Sequence, residues 1–131
     1  MNEKELKKVL AVFKLYKKIK LVYLFGSKAT GKTGPLSDYD FAVYLDEKNI
    51  IERFNIRCEL IGKISMALKT NAIDLCILND LESPELKFNI IKDGRVIFEK
   101  EPFRVLLEPK ILNEYFDFKI MLQKYNLTKA K

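Results

Sequence analysis

The sequence predicts a small α/β (α+β) fold, a mixed β-sheet flanked by helices. Two observations carry that prediction. Helical and strand-like apolar spacings alternate along the chain in the order αβ(loop)βαβαβα. The first two strands are separated by a stretch holding Gly31, Gly34 and Pro35, too short and too broken for a crossover helix, so they should be neighbours in a hairpin-like arrangement.

Each element has its own signal. Over residues 3–19, Leu6, Val9, Leu10, Phe13 and Tyr16 recur at helical spacing, and Asn2 with Glu5 reads as a capping box. The run 21-LVYLF-25 is continuously apolar and stops at Gly26, the pattern of a strand buried on both faces. Residues 27–37 read as a loop, and 38-DYDFAVYL-45 as the second strand. From 49 to 69 helical spacing returns at Ile51, Phe54, Cys58, Ile61 and Leu68. A third strand, 72-AIDLCIL-78, leads to a helix started by Ser83-Pro84-Glu85 and stopped at Asp93-Gly94. After a short strand, 95-RVIFE-99, a helical segment runs from Pro102 to about Tyr125, and Pro109 should kink or split it. No internal repeat or low-complexity linker divides the 131 residues, so 1–131 reads as one domain with 102–131 as its C-terminal helical segment.

Composition narrows the chemistry. Histidine is absent, which removes Ser-His-Asp and Cys-His nucleophilic schemes and His-ligated metals together. Catalysis must then run on carboxylates, lysines or tyrosines, or on a metal held by oxygen ligands. Cys58 and Cys76 sit in apolar patterns without CxxC or Cys/His companions, so they read as free buried thiols. The formal charge is +6, but Arg is scarce and no basic-aromatic stripe appears. That excess reads as a solvated, lysine-rich helix face, and direct nucleic-acid binding is not expected. With no long apolar run and an N-terminus, MNEKELKK, that lacks a signal peptide's apolar core, a cytoplasmic protein without membrane contact is expected.

The stretch 26-GSKATGKTGPLSDYD-40 admits two readings. Its first eight residues match the P-loop pattern G-x-x-x-x-G-K-[ST], and 75-LCILND-80 could serve as the acidic strand. A P-loop, however, needs a helix starting at the lysine and hydroxyl. Here Gly34-Pro35 would break such a helix at once. The letters match; the context does not.

The second reading turns on carboxylates. With a period of two, Asp38, Asp40, Ala42 and Tyr44 share one strand face, opposite Tyr39, Phe41, Val43 and Leu45. Two acids on one face repel unless a cation lies between them. Asp74 adds a third, inside an apolar strand where an unpaired buried charge would be costly. If that strand lies beside the second, the three can surround a two-metal centre suited to nucleotidyl transfer, with Asp74 as general base or metal ligand. The Gly26-Ser27 turn would hold the triphosphate through backbone amides and the Ser27 hydroxyl. Singly, each residue has an ordinary structural reading: Asp38 and Asp40 at a turn and strand edge, Ser27 in a loop, Asp74 paired to a lysine. Jointly they are hard to explain as structure.

These residues resemble the minimal nucleotidyltransferases of the DNA polymerase beta superfamily, whose signature is G-S-x10-D-x-D followed by a single Asp on a later strand. Here it reads Gly26-Ser27, then Asp38-Tyr39-Asp40, then Asp74 within 73-IDL-75. The tail 94-GRVIFEKEPFRVLLEPKILNEYFDF-118 is similar to the C-terminal part of the MntA-type antitoxins. The resemblance implies a polymerase-beta-like nucleotidyltransferase fold that uses ATP and Mg2+, two ions in all. Asp38 and Asp40 would be metal ligands and Asp74 the third ligand or base, with Gly26, Ser27, Lys28 and Lys32 binding the nucleotide. It further implies transfer of AMP to a tyrosine hydroxyl of a partner HEPN-domain ribonuclease toxin, in a complex of the two proteins. The alternatives are a small-molecule nucleotidyltransferase and a non-catalytic binding antitoxin. One departure stands out: where many relatives read G-S-R-A-R-G, this chain has Lys28 and Thr30, so one charge loses its bidentate geometry and the other is gone.

Overall fold

The computed structural model describes residues 1–26 and 38–125. Their order is α1 (Glu3–Phe13), β1 (Ile19–Phe25), β2 (Tyr39–Leu45), α2 (Ile50–Leu68), β3 (Ile73–Ile77), a 3-10 turn (Leu78–Asp80), α3 (Pro84–Asp93), β4 (Arg95–Glu99) and α4 (Phe103–Lys124). The four strands form one sheet in the order β3-β2-β1-β4. β1 is antiparallel to both β2 and β4, whereas β3 runs parallel to β2, so the sheet is mixed as expected.

Apolar residues cover both faces of this sheet, which is why β1, an inner strand, is continuously apolar from Leu21 to Phe25. On one face Val22, Leu24, Phe41, Val43 and Leu75 pack against Val9 and Phe13 of α1 and Leu60 and Ile64 of α2. On the other, Leu21, Tyr23 and Ala42 meet Leu78, Ile90 of α3 and Leu107 of α4. The period-two division of β2 therefore holds: Phe41 and Val43 face one layer, Ala42 and Tyr44 the other.

The helix starts follow their caps. The Asn2 side chain accepts from the Glu5 amide at 2.8 Å, and the Glu5 carboxylate accepts from the Asn2 amide at 3.2 Å. Asn49 caps α2 through the Ile51 and Glu52 amides, and Ser83 caps α3 with Pro84 in its first turn. Gly94 ends α3 in extended geometry; glycine is needed because a Cβ would lie 2.3 Å from the Ile90 carbonyl oxygen.

Four expectations are corrected. The first helix ends at Phe13 rather than 19, because Tyr16 reaches the core from a turn and Ile19 is drawn into β1 opposite Leu45. In α2 the fully buried residues are Leu60 and Ile64; of the expected set Ile61 and Leu68 pack partly buried on the same core, while Ile51 and Phe54 are 67% and 58% exposed. Consequently Cys58 is an exposed thiol, and Cys76 is half-buried. Finally, α4 is one unbroken helix through Pro109. Val105, whose carbonyl the proline leaves without its intrahelical donor, is 73% exposed, where solvent can satisfy it.

Candidate active site

Three strand ends meet at one edge of the sheet. β1 terminates at Phe25-Gly26, β2 begins just after Asp38, and β3 begins at Ile73. The parallel pairing of β2 with β3 sets Asp40 directly beside Asp74 in register. Alternation sends both side chains to the face that also carries Ala42 and Cys76, away from α1 and α2.

Gly26 closes the site from the other side. The antiparallel register places Phe25 opposite Asp40. Gly26 follows in left-handed geometry at φ +71°, and a Cβ there would stand 2.3 Å from Oδ2 of Asp40. Glycine is thus required twice, for the turn and for the close approach of backbone to carboxylate.

The acids act on one another. Burial first, then the charges of Asp74 and Asp38 and a side-chain hydrogen bond with Asp74, push Asp40 up from 3.8 to about 6. Asp40 is half-buried, whereas Asp38 and Asp74 are exposed. The expectation of a buried Asp74 is therefore wrong: β3 is an edge strand of the sheet, so this acid remains in contact with water at no burial cost.

The donor set fits a hard divalent cation. Asp40 and Asp74 make a close, mutually repelling pair whose strain a cation would relieve, and magnesium binds through one or two carboxylates plus substrate phosphates. Among the described residues no three acids, cysteines or histidines form a metal cage by themselves. The edge is instead an open half-site to which a nucleotide's oxygens can add. Ser27, Lys28 and Lys32 of the expected phosphate cradle lie outside the described residues.

A groove of about 350 Å3, which sequence reasoning did not identify, opens from Gly26 along α3. Phe25, Leu86 and Ile90 form its walls, and Asn89 and Asp93, one helical turn apart, its polar rim. The available signal was Asp93, an acid in the last turn of a helix, where the dipole disfavours negative charge.

The frame excludes the P-loop reading. β1, the strand before GSKATGKT, runs antiparallel to both neighbours and so starts no parallel strand–helix–strand unit. Among the described residues no helix is long and apolar enough to cross a membrane.

Comparison with known proteins bears on the family and the fold. A curated relative, the protein adenylyltransferase MntA of Aphanizomenon flos-aquae (strain 2012/KM1/D3), is 31% identical over 93 residues, 63% of this chain. The chain spans 58% of that relative's length. A crystal structure of a toxin–antitoxin with AMP-PNP superposes with a TM-score of 0.74 at 27% identity, over 95% of both chains. A complex of tri-AMPylated Shewanella oneidensis HEPN toxin with its MNT antitoxin shares the fold, with a TM-score of 0.72 at 24% identity over 95% of both chains. Residues 7–103 match the polymerase beta nucleotidyltransferase family, and the chain belongs to that family.

Proposed function

We propose that this chain is a cytoplasmic protein adenylyltransferase that moves AMP from MgATP to a tyrosine hydroxyl of a HEPN-domain ribonuclease, silencing it as its antitoxin. The observation that carries the reading is the register of Asp40 with Asp74 and the approach of Gly26 to Asp40, which together make a carboxylate edge beside a backbone turn. Likeness to an adenylyltransferase and to an AMP-PNP-bound toxin–antitoxin supports it. The HEPN partner follows from the resemblance to MntA-type antitoxins.

In this reading Asp38 and Asp40 hold Mg2+, two ions with Asp74 as the third ligand. Bound there, magnesium supplies charge stabilisation for the phosphates and for the departing pyrophosphate. Gly26 lets the triphosphate approach the backbone, and Ser27, Lys28 and Lys32 complete the cradle. Asp74, exposed at the open edge, takes the proton of the attacking hydroxyl. The hydroxyl oxygen bonds to the α-phosphorus, the bond from that phosphorus to the bridging oxygen breaks, and pyrophosphate leaves.

The test incubates the protein with MgATP and its HEPN partner and reads intact masses. AMP on the partner, lost with Asp38→Ala, supports the reading. Silencing of the partner without added mass overturns it in favour of inhibition by contact.

A further inference from the structure

We infer that Tyr39 is a positioning residue for the carboxylate edge, holding Asp38 and Asp40 in place from the opposite face of the sheet, an inference that rests on the metal-dependent transfer proposed above. Tyr39 is the first residue of β2 and stands between the two acids. Alternation turns its ring away from them, onto the core beneath α1 and α2. There its hydroxyl donates to Oε2 of Glu5, in the first turn of α1. The other oxygen of that carboxylate, Oε1, accepts from the Asn2 amide in the capping box at 3.2 Å. One glutamate therefore joins the start of α1 to the residue between the two acids.

The tie falls where the backbone ladder thins out. Among the described residues the pairing with β1 reaches only to Phe25 opposite Asp40, so Tyr39 lies beyond it. On the other side its amide donates to the Ala72 carbonyl at 2.8 Å, but β3 is itself an edge strand. A strand end held in this way frays readily. Asp40 also stands in register with Asp74, and as ions the two acids repel, which would splay this end of β2 before a cation arrives. A hydrogen bond to a charged acceptor, made on the far face, opposes that splaying and leaves the oxygens of Asp38 and Asp40 open to a metal. Phenylalanine would fill the same apolar seat; the hydroxyl is what adds the tie.

The experiment titrates Mn2+ into the full chain and into its Y39F, E5Q and N2A variants, reading bound ion by electron paramagnetic resonance. It also follows amide exchange of residues 39–41 in EDTA. Y39F is expected to bind Mn2+ about tenfold more weakly and to need correspondingly more Mg2+ for half-maximal transfer, with the rate at saturating Mg2+ within about twofold of wild type. Exchange at 39–41 should quicken in the same variant. E5Q keeps an oxygen that accepts from Tyr39 and should stay near wild type in both readouts. N2A loses the cap and a few degrees of melting temperature but leaves the Glu5–Tyr39 bond, so its Mn2+ affinity should be unchanged. Equal Mn2+ affinity in wild type and Y39F, or a loss in N2A as large as in Y39F, overturns the positioning role and leaves the hydroxyl to stability alone. A wild type that binds no Mn2+ overturns it together with the metal-dependent reading beneath it.

Discussion

The backbone of Gly26 lies so close to Asp40 that a Cβ on the glycine would stand 2.3 Å from Oδ2 of the aspartate. The turn that ends β1 and the acid that opens β2 therefore form one unit. Its shape depends on the single glycine, held at φ +71°.

Gly26→Ala tests that unit. The left-handed backbone costs a non-glycine residue about 1–2 kcal/mol, and the methyl must also displace the carboxylate. The expected outcome is a melting temperature a few degrees lower, with AMP transfer down at least about tenfold. A variant with wild-type transfer would separate the turn from the chemistry.

Asp40→Asn should stabilise the metal-free protein at neutral pH. Because its folded-state carboxyl titrates at about 6 rather than 3.8, the folded protein holds this proton more tightly than the unfolded chain. The stability so contributed is full below pH 3.8 and is lost as pH rises through 6. Above that, the ionised acid costs stability, and asparagine removes the cost. With solvent screening of this partly exposed site allowed for, a gain of about 1 kcal/mol is expected at pH 8 and none near pH 4. Thermal melts in EDTA at both pH values check this.

How much of this was legible in the sequence depends on what each residue's neighbours must be. Alternation along β2 needs no partner, so the division of Asp40, Ala42 and Tyr44 from Phe41 and Val43 could be read directly. The exposure of Asp74 could not, because an apolar run does not reveal whether its strand is central or at the edge. The first half of the α2 set, Ile51 and Phe54, is exposed for a related reason, while Ile61 and Leu68 do pack on the core. Its apolar residues occur on both sides, and only the packing of Leu60 and Ile64 on the sheet decides which side is buried. Tyr16 continued the helical spacing of α1 while packing from a turn, with its hydroxyl donating to Glu59 at 2.9 Å.

Magnesium should stabilise the wild type and not Asp40→Asn. A cation that relieves the Asp40–Asp74 repulsion binds only the folded state, so the melting temperature rises with its concentration. Calcium or manganese titrations give a parallel readout, and EDTA reverses the shift. Equal shifts in both proteins would place the ion elsewhere.

Tyr23→Phe separates stability from chemistry. This wholly buried side chain donates its hydroxyl to Glu108, which also accepts from Arg104 at 3.0 Å, tying β1 to α4. Loss of one charge-assisted hydrogen bond should cost about 1–2 kcal/mol in denaturant unfolding, with transfer per folded molecule unchanged.

The most direct measurement follows the two ends of ATP separately, using label at the α- or the γ-phosphate, with the chain, Mg2+ and the proposed HEPN partner. Nucleotidyl transfer at the Asp40–Asp74 edge predicts α-label bound to the partner protein and γ-label released as pyrophosphate, both abolished by Asp40→Ala. Release of the γ-label as inorganic phosphate, with no α-label on protein, would contradict it.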